Sequence, residues 1–250
     1  MTRRKLLLDA DVIAYVAASS CEVATDWGGG YWTWHCDENK VKESVLSQIE
    51  TSMATFKADE RALCLTDSDG NWRRGVLPTY KGNRSGIKKP LVLKSIKEWM
   101  IEELGAYFRP TLEGDDCMGI LATVKDDYER IIVSIDKDMK TIPGKFSRDG
   151  KTIMEISEGE ADYWHLYQTL IGDITDGYTG LPNCGPVKAK KILGEPSADF
   201  SVAEAWPKVV EAYQKGKLGE EEALTQARVA RILRASDYDF KKKEPILWTP

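Results

Sequence analysis

Three short apolar segments of this chain lead into aspartates, and helical patterns separate the segments. Residues 5–8 end at Asp9, residues 61–65 are followed by Asp67, and residues 131–135 end at Asp136. Alternating strands and helices predict an α/β fold with a parallel or mostly parallel sheet, and such sheets bind ligands beyond the carboxyl ends of their strands. One acid there is equally typical of a helix N-cap. Three acids at the ends of three strands favour a shared site.

Hydrophobic periodicity predicts the remaining elements. Helices are expected over 12–18, 41–56, 90–104, 115–124 and 160–171, and from there to about residue 235 the chain is expected to be mostly helical. A short strand is expected over 107–112. The aromatic segment 31–36 follows three glycines, which predicts a short hairpin.

Length and composition restrict the class of protein. At 250 residues and 42% hydrophobic content, the chain corresponds to one large globular domain or two small ones. No apolar run reaches the roughly 18 residues of a membrane helix. The five cysteines are scattered and form no C-x-x-C pair. This pattern indicates a reducing, cytoplasmic environment and argues against a zinc site or a disulfide framework.

Basic residues are concentrated in one stretch. From Gly70 to Lys97 the sequence contains no acid and eight basic residues, namely Arg73, Arg74, Lys81, Arg84, Lys88, Lys89, Lys94 and Lys97. The net charge of −5 becomes +4 when the nine candidate site acids are set aside. Such a stretch is typical of a surface that contacts phosphates, although a solvated basic loop has the same composition.

The segment 172–193 combines two kinds of chemistry. Asp173 and Asp176 are three residues apart, so a helix-like turn would face both carboxylates toward one point. A glycine-bounded hairpin from Gly180 to Gly185 then leads into a lysine-containing helix. Free backbone N–H groups at a helix start bind phosphate. A cation site beside a phosphate site predicts a nucleic-acid backbone as substrate.

Two further acidic clusters strengthen this interpretation. Glu113, Asp115 and Asp116 open a predicted helix, and Asp136 and Asp138 follow a predicted strand. Each cluster alone has an ordinary explanation, as a helix start or a turn. Together, so many carboxylates at one edge of a sheet repel each other unless cations neutralise them. Oxygen ligands of this kind suit Mg²⁺.

Covalent acyl-type catalysis has no candidate residues here, because neither histidine, His35 or His165, is part of a nucleophile arrangement. Two other interpretations remain. A haloacid-dehalogenase-type phosphatase would use Asp9 as nucleophile and Asp11 as acid/base. A non-catalytic nucleic-acid-binding module would lack some of the site carboxylates.

The sequence resembles the 5′-nuclease superfamily of flap endonucleases, and most of all the 5′→3′ exonucleases of short-tailed bacteriophages. The matching blocks span nearly the whole chain in the family's order: LLLDAD, TDSDGNWRR, LPTYKGNR, LEGDDCMG, SIDKDMKTIP, ADYWHLYQTLIGDITDGYTG and ARVARILR. The resemblance implies a PIN-like α/β core over residues 1–165, with a basic arch at about 70–104. It also implies a helical DNA-binding region over 166–250, with a helix–three-turn–helix hairpin at 180–193.

The resemblance implies a role for each matching residue. The first metal site would use Asp9, Asp67, Glu113 and Asp115, with Asp116 nearby. The second metal group and the bridging acids would be Asp136, Asp138, Asp173 and Asp176. Lys81 and Arg84 would be catalytic and grip the scissile phosphate. Asp11 is interpreted as a structural N-cap. DNA contacts would come from Arg73, Arg74, Tyr80, Lys88, Lys89, Gly180, Gly185, Lys188, Lys190 and Lys191. Tyr80 would either stack on an unpaired base or be an aromatic packed inside the protein, and the sequence favours neither.

The implied activity is metal-dependent 5′→3′ hydrolysis of duplex DNA from 5′ ends, extending to flaps and the RNA of hybrids, in phage replication, recombination or host DNA breakdown. The implied cofactors are two Mg²⁺ ions, replaceable by Mn²⁺, and K⁺ at the hairpin. At Asn183 and Cys184 the hairpin departs from the family's usual small or apolar residues. The implied partners are DNA and phage replication proteins in the host cytoplasm, without a membrane.

Overall fold

A computed structural model describes residues 3–84 and 86–250. Its ten strands are β1 (Arg3–Asp9), β2 (Glu22–Asp26), β3 (Trp32–Cys36), β4 (Glu60–Leu65), β5 (Tyr107–Phe108), β6 (Tyr128–Val133), β7 (Gly144–Ser147), β8 (Met154–Ile156), β9 (Tyr238–Asp239) and β10 (Glu244–Pro245). Its eight α-helices are α1 (Ala10–Cys21), α2 (Glu38–Phe56), α3 (Leu93–Glu102), α4 (Gly114–Thr123), α5 (Glu158–Ile171), α6 (Pro186–Leu193), α7 (Val202–Lys215) and α8 (Glu220–Ala230).

The central sheet has six strands in the order β5-β4-β1-β6-β7-β8. Every neighbouring pair is parallel except β7 and β8. The α/β fold with a mostly parallel sheet flanked by helices is therefore confirmed. Leu8 in β1 lies opposite Leu63 of β4 and Val133 of β6, so these three strands end at the same edge.

The apolar run of β1 explains its central position. Leu6 and Leu8 pack with α1, α2 and α3 on one face of the sheet, whereas Leu7 packs with α4 on the other. All three leucine side chains are fully buried. A continuous apolar strand is typical of a parallel sheet covered on both faces, since successive side chains point in opposite directions.

The C-terminal half forms a helical layer with its own apolar core. Helices α5 to α8 bury Tyr163, Leu166, Trp206 and Tyr213 against one another. The chain then returns to the sheet, where Ile232, Leu233 and Tyr238 join the core on the α4 side. Residue 165, the predicted end of the first region, lies inside α5 and not at a boundary.

Several predicted elements have different limits in the structure. The helix expected from residue 90 begins at Leu93, because Glu22 accepts a hydrogen bond from the N–H of Leu91 and holds the preceding turn outside the helix. The strand expected over 107–112 is only two residues long. Strand β6 ends at Val133, so Asp136 lies in the following loop. The hairpin is confirmed as β2 and β3. In the described part of the chain, no helix is long and apolar enough to cross a membrane.

Candidate active site

A cavity of about 880 Å³ lies at the carboxyl ends of β1, β4 and β6. Eight of the nine predicted metal-site acids line it: Asp9, Asp67, Glu113, Asp115, Asp136, Asp138, Asp173 and Asp176. Parallel strands carry these residues to one place from positions up to 167 residues apart. The predicted convergence of acids is thus present in the fold.

Asp9 is held at the end of β1 by two hydrogen bonds. Its Oδ1 accepts the N–H of Val12 at 3.1 Å, which caps α1, and its Oδ2 accepts the hydroxyl of Ser134 at 2.7 Å. Burial raises the pKa of Asp9 to about 6, although both hydrogen bonds lower it. Nearby Asp11 and Asp136 raise it further by like-charge repulsion.

Asp115, Asp136 and Asp138 extend this carboxylate group. Burial raises the pKa of Asp115 well above its ordinary value, and the charges of Asp9, Asp136 and Glu113 add to the effect. Asp136 accepts the N–H of Asp138 at 2.8 Å and so caps the short 3-10 helix Lys137–Thr141. Burial, followed by repulsion from Asp136, also raises the pKa of Asp138. Of these three carboxylates, Asp138 has an ion-pair partner, Lys137, at 3.1 Å.

Asp173 and Asp176 lie on a tight turn between α5 and α6. The turn is closed by an isolated bridge between Asp173 and Tyr178, and Asp173 Oδ1 accepts the N–H of Thr175 at 2.7 Å. The two carboxylates pair with different cations. Asp173 lies 3.8 Å from Lys137 Nζ, whereas Asp176 lies 3.5 Å from Lys81 Nζ.

Basic side chains on the cavity walls pair with its acids. Lys81 Nζ donates to Glu113, and Arg84 donates to Asp176. The pKa of Lys81 is raised because Glu113 and Asp176 outweigh burial, which lowers it. The backbone is joined at the same point, since the N–H of Lys81 donates to the carbonyl of Asp176 at 2.7 Å.

Across residues 3–84 and 86–250, no three His, Cys, Asp or Glu side chains are close enough to hold a metal ion as they are arranged. Four of the acids pair with lysine or arginine instead: Glu113, Asp138, Asp173 and Asp176. The donor set still fits a hard divalent cation, because it consists entirely of carboxylate oxygens. Burial and mutual repulsion raise the pKa values of Asp9, Asp115 and Asp138, which a bound cation would counteract.

Asp116 and Arg73 have a different role from the predicted one. Arg73 donates to both carboxylate oxygens of Asp116, at 2.7 and 2.8 Å, and both side chains are buried. The indole N–H of Trp72 and the backbone N–H of Leu233 use the same oxygens. The structure thus places Asp116, a predicted metal-site acid, and Arg73, a predicted DNA contact, against each other inside the protein.

Tyr80 is not available to stack on a base, because its side chain is only 3% exposed. Its hydroxyl lies 3.0 Å from both Glu113 Oε2 and Asp176 Oδ2. Of the two interpretations of Tyr80, the structure therefore shows the packed aromatic, with its hydroxyl beside two site acids. Asp11 is not the N-cap of α1 either, since Asp9 caps that helix.

The remaining predicted DNA contacts divide by exposure. Arg74, Lys188, Lys190 and Lys191 are exposed, as are Lys88, Lys89 and Gly185. Gly180, also a predicted DNA contact, is buried, and its N–H donates to the side chain of Gln226 at 2.8 Å. Gly185 is the N-cap of α6 and has no side-chain cap.

Asp67 lies on the same wall but is committed to its own loop. Its two oxygens accept the N–H groups of Thr111 at 2.8 Å and Asp69 at 2.9 Å. Partial burial raises the pKa of Asp67, but these hydrogen bonds and one from Gly70 lower it more. This carboxylate therefore stays ionised and fixes the loop after β4.

Comparison with known proteins decides the family. The exodeoxyribonuclease of Enterobacteria phage T3 is 32% identical over 282 residues, covering 98% of this chain and 92% of the relative. The exonuclease of Escherichia phage T7 is 31% identical over 98% of this chain and 93% of its own length. The chain belongs to the phage 5′-exonucleases of the flap endonuclease superfamily. It is a nuclease, and the phosphatase alternative is excluded.

More distant similarities agree with this assignment of the 5′-exonuclease. Flap endonuclease Xni of Vibrio campbellii is 31% identical over 71% of this chain and 74% of its own. A phage T5 flap endonuclease complex with DNA and metal ions superposes with a TM-score of 0.67 at 14% identity, over 92% of this chain and 89% of that one. The structural similarity shows a shared fold. No family model matches the chain.

The cavity of this 5′-exonuclease also contains Lys137 and Arg148, which were not predicted from the sequence, and Lys97, which was predicted only as part of the basic stretch. Lys97 pairs with Asp11, whose other oxygen accepts the N–H of Thr66 at 2.8 Å. Lys137 lies between two acids, and Arg148 also lines the cavity. Lys137 stands between Asp136 and Asp138 in the sequence, which was a usable signal. Arg148 had no such signal in the sequence, because it lies between β7 and β8 and these two strands were not predicted.

Proposed function

We propose that this 5′-nuclease is a divalent-metal-dependent 5′→3′ exodeoxyribonuclease that hydrolyses duplex DNA from 5′ ends and also acts on flaps. The observation that supports it most is the convergence of eight carboxylates in one cavity whose walls also carry lysine and arginine. The phage T3 relative is an exodeoxyribonuclease, and the phage T5 relative forms a complex with DNA and metal ions.

In this proposal, Mg²⁺ or Mn²⁺ ions bind among the acids of the cavity. Asp9, Asp67, Glu113 and Asp115 would hold the first ion, and Asp136, Asp138, Asp173 and Asp176 would hold the second or bridge the two. When bound, two divalent ions supply Lewis acidity and counter-charge for phosphodiester hydrolysis. The support is the chemistry of the donor set and the raised pKa values of Asp9, Asp115 and Asp138, which a cation would relieve.

Lys81 and Arg84 would grip the scissile phosphate. Both side chains line the cavity and already bind the anionic groups Glu113 and Asp176. A divalent ion bound to Glu113 and Asp176 would displace Lys81 and Arg84 from these acids. The N–H groups of the two basic side chains would then be available to phosphate oxygens. Lys81 has a left-handed backbone (φ 53°), and its N–H is fastened to Asp176, which holds the turn in place. Donors fixed in this way stabilise charge that develops on phosphate.

The helical layer would bind the duplex behind the cut. Helices α5 and α6 are joined by successive turns, and α6 starts at the exposed Gly185. Helix starts attract phosphate, and Lys188 and Lys191 add positive charge there. We also propose that residues 180–193 form a helix–three-turn–helix that binds K⁺, and that the chain divides into a nuclease core and a helical DNA-binding region. The proposed activity extends to the RNA of hybrids, and the proposed partners include phage replication proteins.

The deciding experiment digests 5′-labelled and 3′-labelled duplexes with Mg²⁺, Mn²⁺, Ca²⁺ or EDTA. Release of short products from the 5′ label and progressive shortening of the 3′-labelled strand are expected with Mg²⁺ or Mn²⁺. Ca²⁺ is expected to bind without supporting turnover. Full activity in EDTA would overturn the proposal.

A further inference from the structure

The β2–β3 hairpin presents four aromatic side chains to solvent. Trp27, Tyr31, Trp32 and Trp34 are 70%, 77%, 48% and 42% exposed. Two hydrogen bonds close the turn of the hairpin: Trp27 Nε1 donates to Thr33 at 2.9 Å, and the N–H of Trp27 donates to the carbonyl of Tyr31 at 2.9 Å. Grouped aromatic rings of this size are seldom left uncovered without a ligand.

We propose that this hairpin is a stacking platform for the unpaired 5′ tail of a DNA substrate. This inference rests on the proposed function, which places a DNA strand in the cavity. It adds a second site, where the unpaired tail of that strand is held. The hairpin is continuous with the site through the basic stretch. Lys89 lines the cavity, while its neighbour Lys88 lies on the hairpin, with Nζ 4.3 Å from the centre of the Trp34 ring.

The geometry of the ribbon favours nucleobases. Trp32 and Trp34 are two residues apart on β3, so they share one face of the hairpin at a spacing of about 6.8 Å. That spacing is about twice the 3.4 Å between neighbouring nucleotides in a duplex strand, so only a strand drawn out of its helical stack can place successive bases on the two rings. The partner of Trp34 across the ribbon, Ala24, is small, and Trp34 stays 42% exposed although Lys88 lies over its ring.

A lysine also lies beside the rings, since Lys88 Nζ is over the ring of Trp34. The two acids on this face are already engaged: Glu22 pairs with Lys88 and accepts the N–H of Leu91, and Asp26 accepts the N–H of Gly28 at 2.8 Å. The hydrogen bond from Lys88 holds the pKa of Glu22 below its ordinary value, so the pair stays ionised. Aromatic rings beside lysines are how proteins bind single strands without sequence preference.

The test compares binding of a single-stranded oligonucleotide, measured in EDTA so that nothing is cut. Trp32→Ala/Trp34→Ala is expected to weaken binding at least tenfold. The slope of affinity against salt should stay unchanged, because no phosphate contact is removed. Trp32→Phe/Trp34→Phe is expected to keep most of the affinity, since phenyl rings still stack. Phe240→Ala, an exposed aromatic in the β9–β10 region, is the matched control and should bind as the parent does.

A second arm uses Mg²⁺ and compares 5′-tailed with blunt duplexes. The ratio of their kcat/KM values should fall about tenfold in the double alanine variant and remain at the parent value in Phe240→Ala. Unchanged oligonucleotide binding by Trp32→Ala/Trp34→Ala would refute the proposal that the hairpin binds a DNA tail. The exposed aromatic surface would then indicate a protein partner. The binding measurement in EDTA requires no cleavage and tests the hairpin by itself. Absence of nuclease activity in Mg²⁺ would refute only the proposed function.

Discussion

Arg73 and Asp116 form a bidentate ion pair with N–O distances of 2.7 and 2.8 Å, and their side chains are 2% and 0% exposed. The same guanidinium donates to the backbone carbonyls of Val229 and Arg231. Although burial raises the pKa of Asp116, the charge of Arg73 holds it below its ordinary value. The pair therefore fastens the C-terminal segment to α4, directly behind the acids of the cavity.

Arg73→Ala is expected to destabilise the protein strongly, because it leaves Asp116 charged, buried and without its partner. Loss of one member of a buried pair typically reduces the free energy of unfolding by about 3–5 kcal/mol. Urea unfolding measures the change. Arg74→Ala, at the exposed neighbouring position, should shift stability by less than about 0.5 kcal/mol. Similar unfolding midpoints for the two variants would contradict the assigned role of Arg73.

Asp136→Ala and Asp173→Ala are each expected to reduce turnover by orders of magnitude while DNA binding is kept or improved. Removing a cavity carboxylate weakens repulsion of phosphate even as it disables cation binding. Single-turnover cleavage and a binding assay in Ca²⁺ separate the two effects. Asp199→Ala, an exposed acid that does not line the cavity, is the control. A near-normal rate for Asp173→Ala would mean that the 173–178 turn is only structural.

Lys81→Ala is expected to act on the chemical step and not mainly on binding. Loss of one transition-state donor typically lowers the rate by about 10²–10³. The comparison is with Lys88→Ala, which removes an exposed lysine that pairs with Glu22. That change should reduce the salt slope of DNA binding by about one unit and leave chemistry nearly intact. Single-turnover rates within about threefold of each other at saturating DNA would refute catalysis by Lys81.

Metal-free protein is expected to lose stability as pH rises through the titration of Asp9. Burial raises the pKa of this carboxyl from 3.8 to about 6, so between these values the folded state binds more protons than the unfolded state. Stability must then fall as pH increases across that window. The contribution at pH 7 is up to about 3 kcal/mol against folding.

The comparison for this effect is Asp9→Asn, in which the amide oxygen can still cap α1. Urea midpoints in EDTA at pH 4 to 7 should show the parent losing stability relative to the variant, and Mg²⁺ should restore it. Parallel pH profiles would show that Asp9 is ionised at its ordinary pKa in the folded protein.

The sequence was most informative where one local pattern fully constrains the backbone. The apolar run before Asp9 was predicted as a buried strand and is one, and the aromatic segment after Gly28, Gly29 and Gly30 did form a hairpin. Helix ends were less certain. The start of α3 depends on Glu22, a residue more than sixty positions away, which periodicity within the helix does not detect.

Residue types and spacing alone determined that this chain has a mostly parallel α/β sheet with aspartates at the ends of its strands, because the 2-residue and 3.6-residue periods are local properties. Only the tertiary structure decided which charged residues serve the cavity. Arg73 and Arg74 are adjacent and identical in type, yet Arg73 is buried in an ion pair with Asp116 and Arg74 is exposed. The difference arises because burial of a charge depends on partners that folding brings from distant parts of the chain.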